Sequence, residues 1–343
     1  MTETASHVLD LSSAEAARIA EEAEDIVAPL LSPDIAATDG DLRRLEAAGA
    51  RVIFFGDAEY PELVREITDP PPLLFARGAP LPQAPSIALV GARRASRVAL
   101  ETASVLARGL AEAGVSVVSG FARGVDAAAH RAALEAGGST VAVFGCGIDI
   151  CYPAEQRALL ETLLSTGTAL SEFPMGDEPE PWHFPVRNRL IAGLSRIVCV
   201  VEAAEKSGSL ITARCATGYG RDVAAVPGSV LAPGAAGSNA LLKDGAILVR
   251  SADDLLAELP EEDRRRLNRA VAARTAASLP DLPPDAAALL AVLDPDEPRE
   301  ADALIPASGL DAARFSAALL HLEIEGLATA LPGALFVRSR LRI

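Results

Sequence analysis

Five short stretches of this sequence gather residue types that bind anions, and the spacing within each suggests how. In VGARRASR, Gly91 lets the backbone turn closely, and Arg93, Arg94 and Arg97 follow at an expected helix start, where free N–H groups and the macrodipole favour an anion. Neither GxGxxG nor GxxxxGK followed by Ser or Thr is present, which disfavours an ordinary dinucleotide or triphosphate loop; no cofactor is expected. In SGFARGVDAAAH, Ser119 and Gly120 close a strand, and Arg123 and Gly124 precede a helix carrying Asp126 and His130. Positions i and i+4 share one helix face. That spacing fits phosphate contact by Ser119 and Arg123 with Asp126 orienting His130; it equally fits a helix cap and a polar pair fixing the helix on its sheet. GCGID places Gly145 and Gly147 for close backbone approach, with Asp149 as an acceptor. FPVRNRLIAG sets Arg187, Asn188 and Arg189 at a helix start, and KSGSLITA offers Lys206, Ser207, Gly208, Ser209 and Thr212. A Ser-Gly-Ser turn opening a helix has the form of an anion nest, or of a plain N-cap.

Catalysis would need more than this. His130 with Asp126 could work as an acid/base pair, but no nucleophile or metal set accompanies them. Cys146 sits in a glycine loop without an evident base. Together with Cys151, Cys199 and Cys215 it lies in or beside apolar sequence, with no CxxC and no His at ligand spacing, so reduced, buried thiols and no metal are expected. Trp182 and His183 precede the RNR stretch; the indole is either a stacking group or a lid packed on the core.

Loops of this kind need a sheet to hold them. The apolar runs 86–92, 115–120, 140–145, 168–173, 196–201, 222–227 and 246–249 are continuous rather than alternating, as strands covered on both faces should be. The intervals supply crossover helices, for example 96–113 and 124–136. The expected fold is α/β: a Rossmann-like, doubly wound, mostly parallel sheet with ligands at the carboxyl ends of its strands. Residues 1–40, Ala- and Glu-rich with Leu9, Ile19, Ile26, Leu30 and Leu31 at loose helical spacing, read as a small helical N-terminal region. Residues 41–260 read as an extended Rossmann-like domain, its core at 86–249, entered through the helix LRRLEAAG, the strand RVIFFGD and the turn-rich DPPPLLFARG. An Arg-rich helix trails into a linker over 261–280. In 281–343, helical segments near 285–293, 300–307 and 311–326 precede two short strand-like pieces around Pro332-Gly333, the pattern of a C-terminal winged-helix domain.

At 343 residues, half of them hydrophobic, the chain can bury one large core with smaller satellites. It shows no apolar run of the roughly 20 residues that a bilayer crossing needs and no basic start before an apolar segment, so a cytoplasmic protein without a membrane partner is expected. A net charge of −16 argues against a generally basic nucleic-acid binder. The charge is uneven, however: residues 1–50 carry 11 acidic and 3 basic groups, 281–343 carry 10 and 5, and 85–260 carry 18 and 15. The near-balanced middle leaves room for a local positive pocket, and its cations are overwhelmingly Arg, suited to bidentate phosphate contact.

The combination SGFARGVDAAAH, FPVRNRLIAGLS and SGSLITA, with VGARRAS, VFGCGIDICYP, SEFP, VAAVPG and GSNALLKDGA, resembles the DNA-processing protein A (DprA, or Smf) family over about half the chain. The resemblance implies a non-catalytic Rossmann-like protein that binds single-stranded DNA, dimerises, protects incoming DNA and loads the RecA recombinase during natural transformation (competence) and homologous recombination. It implies site roles for Gly91, Arg93, Ser119, Gly120, Arg123, Gly124, Asp126, His130, Arg187, Asn188, Arg189, Ser207, Gly208, Ser209 and Thr212. Ala92 stands where relatives carry Ser. Ala154 stands where many carry Lys, with Arg157 one turn on as the candidate substitute. Phosphate contacts from Arg93, Arg123, Arg187 and Arg189, with stacking by Tyr152 or Phe184, would give salt-sensitive binding.

Two other readings compete. One is a nucleotide- or nucleoside-phosphate-processing enzyme, since related Rossmann-like phosphoribohydrolases use PGGxGTxxE where this chain has EKSGSLITA. The other is a winged-helix regulator, but DAARFSAALLHLEIEGL holds Arg314 as its only Arg or Lys, and groove reading normally needs more positive charge.

Overall fold

The computed structural model describes residues 43–278, 282–294 and 297–339. The helical region expected over 1–40 lies outside the described residues. The chain divides at Ala270–Val271 into two compact units.

The first unit is built on a nine-stranded sheet of order β1-β2-β6-β5-β4-β3-β7-β8-β9. The strands are β1 (Ala50–Phe54), β2 (Leu73–Gly78), β3 (Ser86–Val90), β4 (Ser116–Ser119), β5 (Thr140–Val143), β6 (Thr168–Ser171), β7 (Ile197–Val200), β8 (Asp222–Ala225) and β9 (Ile247–Leu248). All seven apolar runs are strands, and β3 to β9 pair in parallel. The helices are α1 (Glu62–Arg65), α2 (Arg97–Glu112), α3 (Val125–Glu135), α4 (Arg157–Thr166), α5 (His183–Gly193), α6 (Ser209–Gly218), α7 (Ala236–Lys243), α8 (Ala252–Ala257) and α9 (Glu261–Ser278). Alternation along β3 decides which layer each residue joins: Ile87 and Leu89 pack with α2 and α3, while Ala88 and Val90 pack with α5 and α6. Chain order reverses at β3, with β4 to β6 on one side of it and β7 to β9 on the other. A crevice opens beyond the carboxyl ends of the strands at such a switch point.

Two segments differ from the sequence expectation. DPPPLLFARG, read as turn-rich, contains β2, which pairs antiparallel with β1 and β6. Its prolines end at Pro72, before the strand starts, and Leu73 to Ala76 are all buried, which is how a strand covered on both faces reads. The stretch read as trailing into a linker is helical through Ser278, and its first turns bury Asp263 and Leu267. Asp263 accepts a 2.8 Å hydrogen bond from Arg196 Nε.

The second unit holds α10 (Pro284–Val292), β10 (Arg299–Glu300), α11 (Ala301–Ser308), α12 (Ala312–Ile324), β11 (Ala328–Leu331) and β12 (Leu335–Arg338). Its three helices and its three-stranded sheet of order β10-β12-β11 have the winged-helix arrangement. Leu289, Leu290, Leu304, Phe315 and Leu322 form its own core. The Asp311 side chain caps α12 by accepting from Arg314 N at 2.9 Å. The two-residue β10 is too short to show in a hydropathy pattern. Among the described residues, no single helix is long and apolar enough to cross a membrane.

Candidate nucleic-acid interface

At the switch point lies a groove of about 470 Å³, lined by residues that follow β3 (Gly91, Arg93), β4 (Ala122, Asp126), β5 (Tyr152), β6 (Pro179, Pro181) and β7 (Ser207, Ser209), together with α5. Its aromatic centre is Phe184. The Arg93 guanidinium carbon sits 4.6 Å from the Phe184 ring centre, and Tyr152, 40% exposed, packs against that ring at 5.6 Å. An exposed cation stacked on an aromatic beside a second exposed ring offers a phosphate contact and a surface for bases in one place.

The first and second loops are laced together. Val125 N donates to Ala92 O at 3.3 Å, and Gly124, at φ 78°, lies so close to Ala92 O that a Cβ would clash. A Cβ on Gly91 would strike Val125. Gly124 thus serves close approach of two backbones and Gly91 the packing of the Val125 side chain, rather than approach to an external group. The start of α2, expected to attract an anion, already holds one: Glu202 accepts from Ser96 N at 2.9 Å and from Ser96 Oγ at 2.5 Å. Glu202 went unnoticed because the sequence does not reveal that the end of β7 meets the start of α2. Arg93, Arg94 and Arg97 remain exposed, with no ion pair among the described residues.

Asp126 does not orient His130. Its Oδ2 accepts from Gly120 N at 3.1 Å and Ala122 N at 3.2 Å, and burial raises its pKa, partly opposed by Arg187 and these hydrogen bonds. His130 is fully buried, with Nδ1 2.7 Å from Thr140 Oγ1. The Thr140 hydroxyl donates to Val117 O at 2.7 Å, so it accepts from His130, which places a proton on Nδ1. Burial lowers the His130 pKa to about 3. The two positions share a helix face, but α3 packs on β3 to β5 between α2 and α4, so each side chain meets a different neighbour.

Ser119 is buried as well, its hydroxyl donating to Leu89 O at 2.7 Å, which ties β4 to β3. Arg187 lines the groove yet is only 3% exposed; its Nη1 donates to Gly120 O at 2.7 Å and also to Val143 O. Burial lowers its pKa to about 10, against the favourable charge of Asp126. Arg189 turns away from the groove, paired with Glu172 and donating to Asp69 O at 2.5 Å. The RNR stretch therefore splits: Arg187 and Asn188 face the groove, while Arg189 clamps the other side of α5. Gly147 and Asp149 belong to a neighbouring turn, where Asp149 Oδ1 accepts from Gly176 N at 2.9 Å. Arg157 is exposed outside the groove lining, and Arg123 is exposed and paired with Glu155. Trp182 is 60% exposed, edge-on to Phe173. Cys146 is buried, its pKa pushed up to about 12 by desolvation, so it stays a thiol.

The fifth loop opens α6 onto the groove. Gly208 occupies the cap without a side-chain bond, Ser207 Oγ and Ser209 Oγ lie 2.8 Å apart, and Asn188 Nδ2 donates to Gly208 O at 3.2 Å. The turn's own N–H groups are engaged, Ser209 N by Ser207 Oγ at 3.4 Å, Leu210 N by Ser207 O and Ile211 N by Gly208 O at 3.1 Å each, so what it presents to the groove is its two hydroxyls. Among the described residues, no three His, Cys, Asp or Glu side chains are grouped as a metal site.

A sequence profile described as DNA recombination-mediator protein A matches residues 51–260, and one described as DprA winged helix domain matches 273–334. The chain belongs to the DNA recombination-mediator protein A family. Among its relatives it is 35% identical over 313 residues to Protein Smf of Synechocystis, covering 82% of this chain and 78% of that one. It is 45% identical over 200 residues to DNA processing protein DprA of Streptococcus pneumoniae, covering 58% and 71% respectively. The solved structure of the Streptococcus pneumoniae protein superposes with a TM-score of 0.62 at 38% identity, covering 74% of this chain and 96% of that one. A Helicobacter pylori DNA processing protein A, whose structure describes a single-stranded DNA binding mode, superposes with a TM-score of 0.54 at 29% identity, covering 61% and 95%.

Proposed function

We propose that this family member binds single-stranded DNA in the switch-point groove and acts as a non-catalytic recombination mediator. In this role it protects the strand and delivers it to a RecA-type recombinase during transformation and homologous recombination, working in the cytoplasm as a homodimer. The observation that carries the DNA reading is the stack of exposed Arg93 on Phe184 beside Tyr152. Arg93, Arg94 and Arg123 meet phosphates, as does the Ser207–Gly208–Ser209 turn; Phe184 and Tyr152 meet bases. Gly91, Gly120, Gly124, Asp126 and Arg187 hold the loops in place, while Ser119 and His130 fix strands and helix behind them. Residues 41–260 are the DNA-binding body, 261–280 connect it to the tail, and 281–343 are the winged-helix domain.

The nucleotide-enzyme reading loses its acid/base pair, since Asp126 and His130 have separate partners. The regulator reading also weakens: Arg314 on α12 is engaged by Asp285, and exposed Leu320 and Ile324 are apolar. A protein-contact role suits that helix better.

A competition assay of single-stranded against duplex DNA, for wild type and Arg93→Ala across a salt series, tests the DNA reading. Wild type should prefer the single strand. Arg93→Ala should weaken binding by about tenfold and reduce the slope of log affinity against log salt by about 0.7, the loss of one phosphate contact. A flat salt response, or equal affinity for duplex and single strand, overturns the reading.

A further inference from the structure

One wall of the groove carries charge of the wrong sign for DNA. Between β6 and α5 the chain reads PMGDEPEPW over 174–182, and Pro179 and Pro181 line the groove. Glu178 and Glu180, at the alternate positions, are exposed and have no ion pair or side-chain hydrogen bond among the described residues. Each glutamate precedes a proline, which favours extended backbone at both. Pro179 and Pro181 line the groove whereas Glu178 and Glu180 do not, so both exposed carboxylates lie on the strap outside the groove lining.

The strap is stiff and anchored. Two prolines restrict its φ angles. Gly147 N donates to Asp177 O at 2.8 Å and Gly176 N to Asp149 Oδ1 at 2.9 Å. At its far end Glu180 N donates to His183 Nδ1 at 3.3 Å, and His183 Nε2 lies 3.6 Å from Asp177 Oδ2. The two glutamates are thus held beside the groove rather than free to swing from it.

We propose that this strap rejects duplex DNA: Glu178 and Glu180 repel the phosphates of a second strand while the prolines leave room for the first. The inference rests on the single-strand reading above. A lone strand sets its phosphates on Arg93 and its bases on Phe184, Tyr152 and the proline faces. Its complement would have to pass outside the strap, bringing a phosphate row against two unpaired carboxylates. Such like-charge juxtaposition suppresses a wrong partner without adding affinity for the right one.

The test measures the affinities of an oligo-dT strand and of a blunt duplex of equal length for wild type, E178Q/E180Q and E258Q/E262Q in the full chain. Glu258 and Glu262 are exposed outside the groove lining, so that variant makes the same change in net charge elsewhere. Asp177 is left intact to preserve the anchor. E178Q/E180Q should raise duplex affinity by about tenfold and single-strand affinity by less than about threefold, narrowing the preference, while E258Q/E262Q leaves the ratio unchanged. A wild type that prefers the single strand with a ratio that E178Q/E180Q does not move, or that both variants move equally, overturns the strap. A wild type with no single-strand preference overturns the single-strand reading and the strap with it.

Discussion

Gly120 sits where the Asp126 carboxylate and the Arg187 guanidinium converge: a Cβ there would fall 2.8 Å from Arg187 Nη2 and 2.9 Å from Asp126 Oδ2. Gly120→Ala should therefore force both charged groups aside and lower stability by roughly 1–3 kcal/mol, read from urea unfolding midpoints. Gly208→Ala, with nothing within 4 Å of the new Cβ, should leave stability nearly unchanged. His130 supplies a pH signature. Its folded pKa is about 3 against 6.5 for a free imidazole, so below pH 6.5 the unfolded chain takes up a proton that the folded chain refuses. Stability should fall as pH drops from 6.5 towards 3, by about 1.4 kcal/mol per unit. Asp126, its pKa raised by burial, acts with the opposite sign just above the usual carboxylate range, where folding retains a proton. Unfolding measured at pH 7 and pH 5 should show His130→Leu losing roughly 2 kcal/mol less than wild type over that interval; equal losses would discount the buried imidazole. Residue types at the site were legible in the sequence, but the division of labour among them was not. Arg187, Ser119 and His130 look like ligand groups in a motif, yet burial makes them scaffold, and burial depends on which layers close over them.

Helix α5 carries two jobs because consecutive residues on a helix diverge by about 100°. Phe184, Arg187 and Asn188 face the groove, whereas Arg189 is held by Glu172 and Asp69 on the other side. Phe184 is the platform for Arg93 and the neighbour of Tyr152. Phe184→Ala should weaken single-stranded DNA by about tenfold through lost stacking while leaving the salt slope at its wild-type value. Arg93→Ala should lower that slope, so a salt titration of the two variants separates stacking from charge. A changed slope in Phe184→Ala would mean that Arg93 itself had moved. At this scale the sequence was most informative for the parallel strands, whose continuous apolar runs report cover on both faces. It was least informative for β2, which neighbouring prolines disguised, and for β10, which is two residues long.

The whole molecule sets against its net charge of −16 a cluster of three exposed arginines without ion pairs, Arg93, Arg94 and Arg97, at the start of α2. Several cations elsewhere are engaged by carboxylates: Arg51 by Glu59, Arg196 by Asp263, Arg221 by Glu66 and Arg314 by Asp285. A strongly acidic body repels nucleic acid at long range, and screening shortens that repulsion. Affinity should thus fall with salt by less than the groove contacts alone would dictate, because salt also relieves the repulsion from the rest of the chain. The two units make the same logic testable, since each has its own core and the arginines exposed at the groove belong to the first. Ending the chain after residue 270 should keep single-strand affinity within about threefold of the full chain, and the acidic 271–343 segment alone should not retain duplex DNA in a mobility shift. Loss of single-strand binding on truncation would place essential contacts in the tail. Tight duplex binding by the tail would return α12, despite its engaged Arg314 and apolar Leu320 and Ile324, to the role of a groove-reading helix.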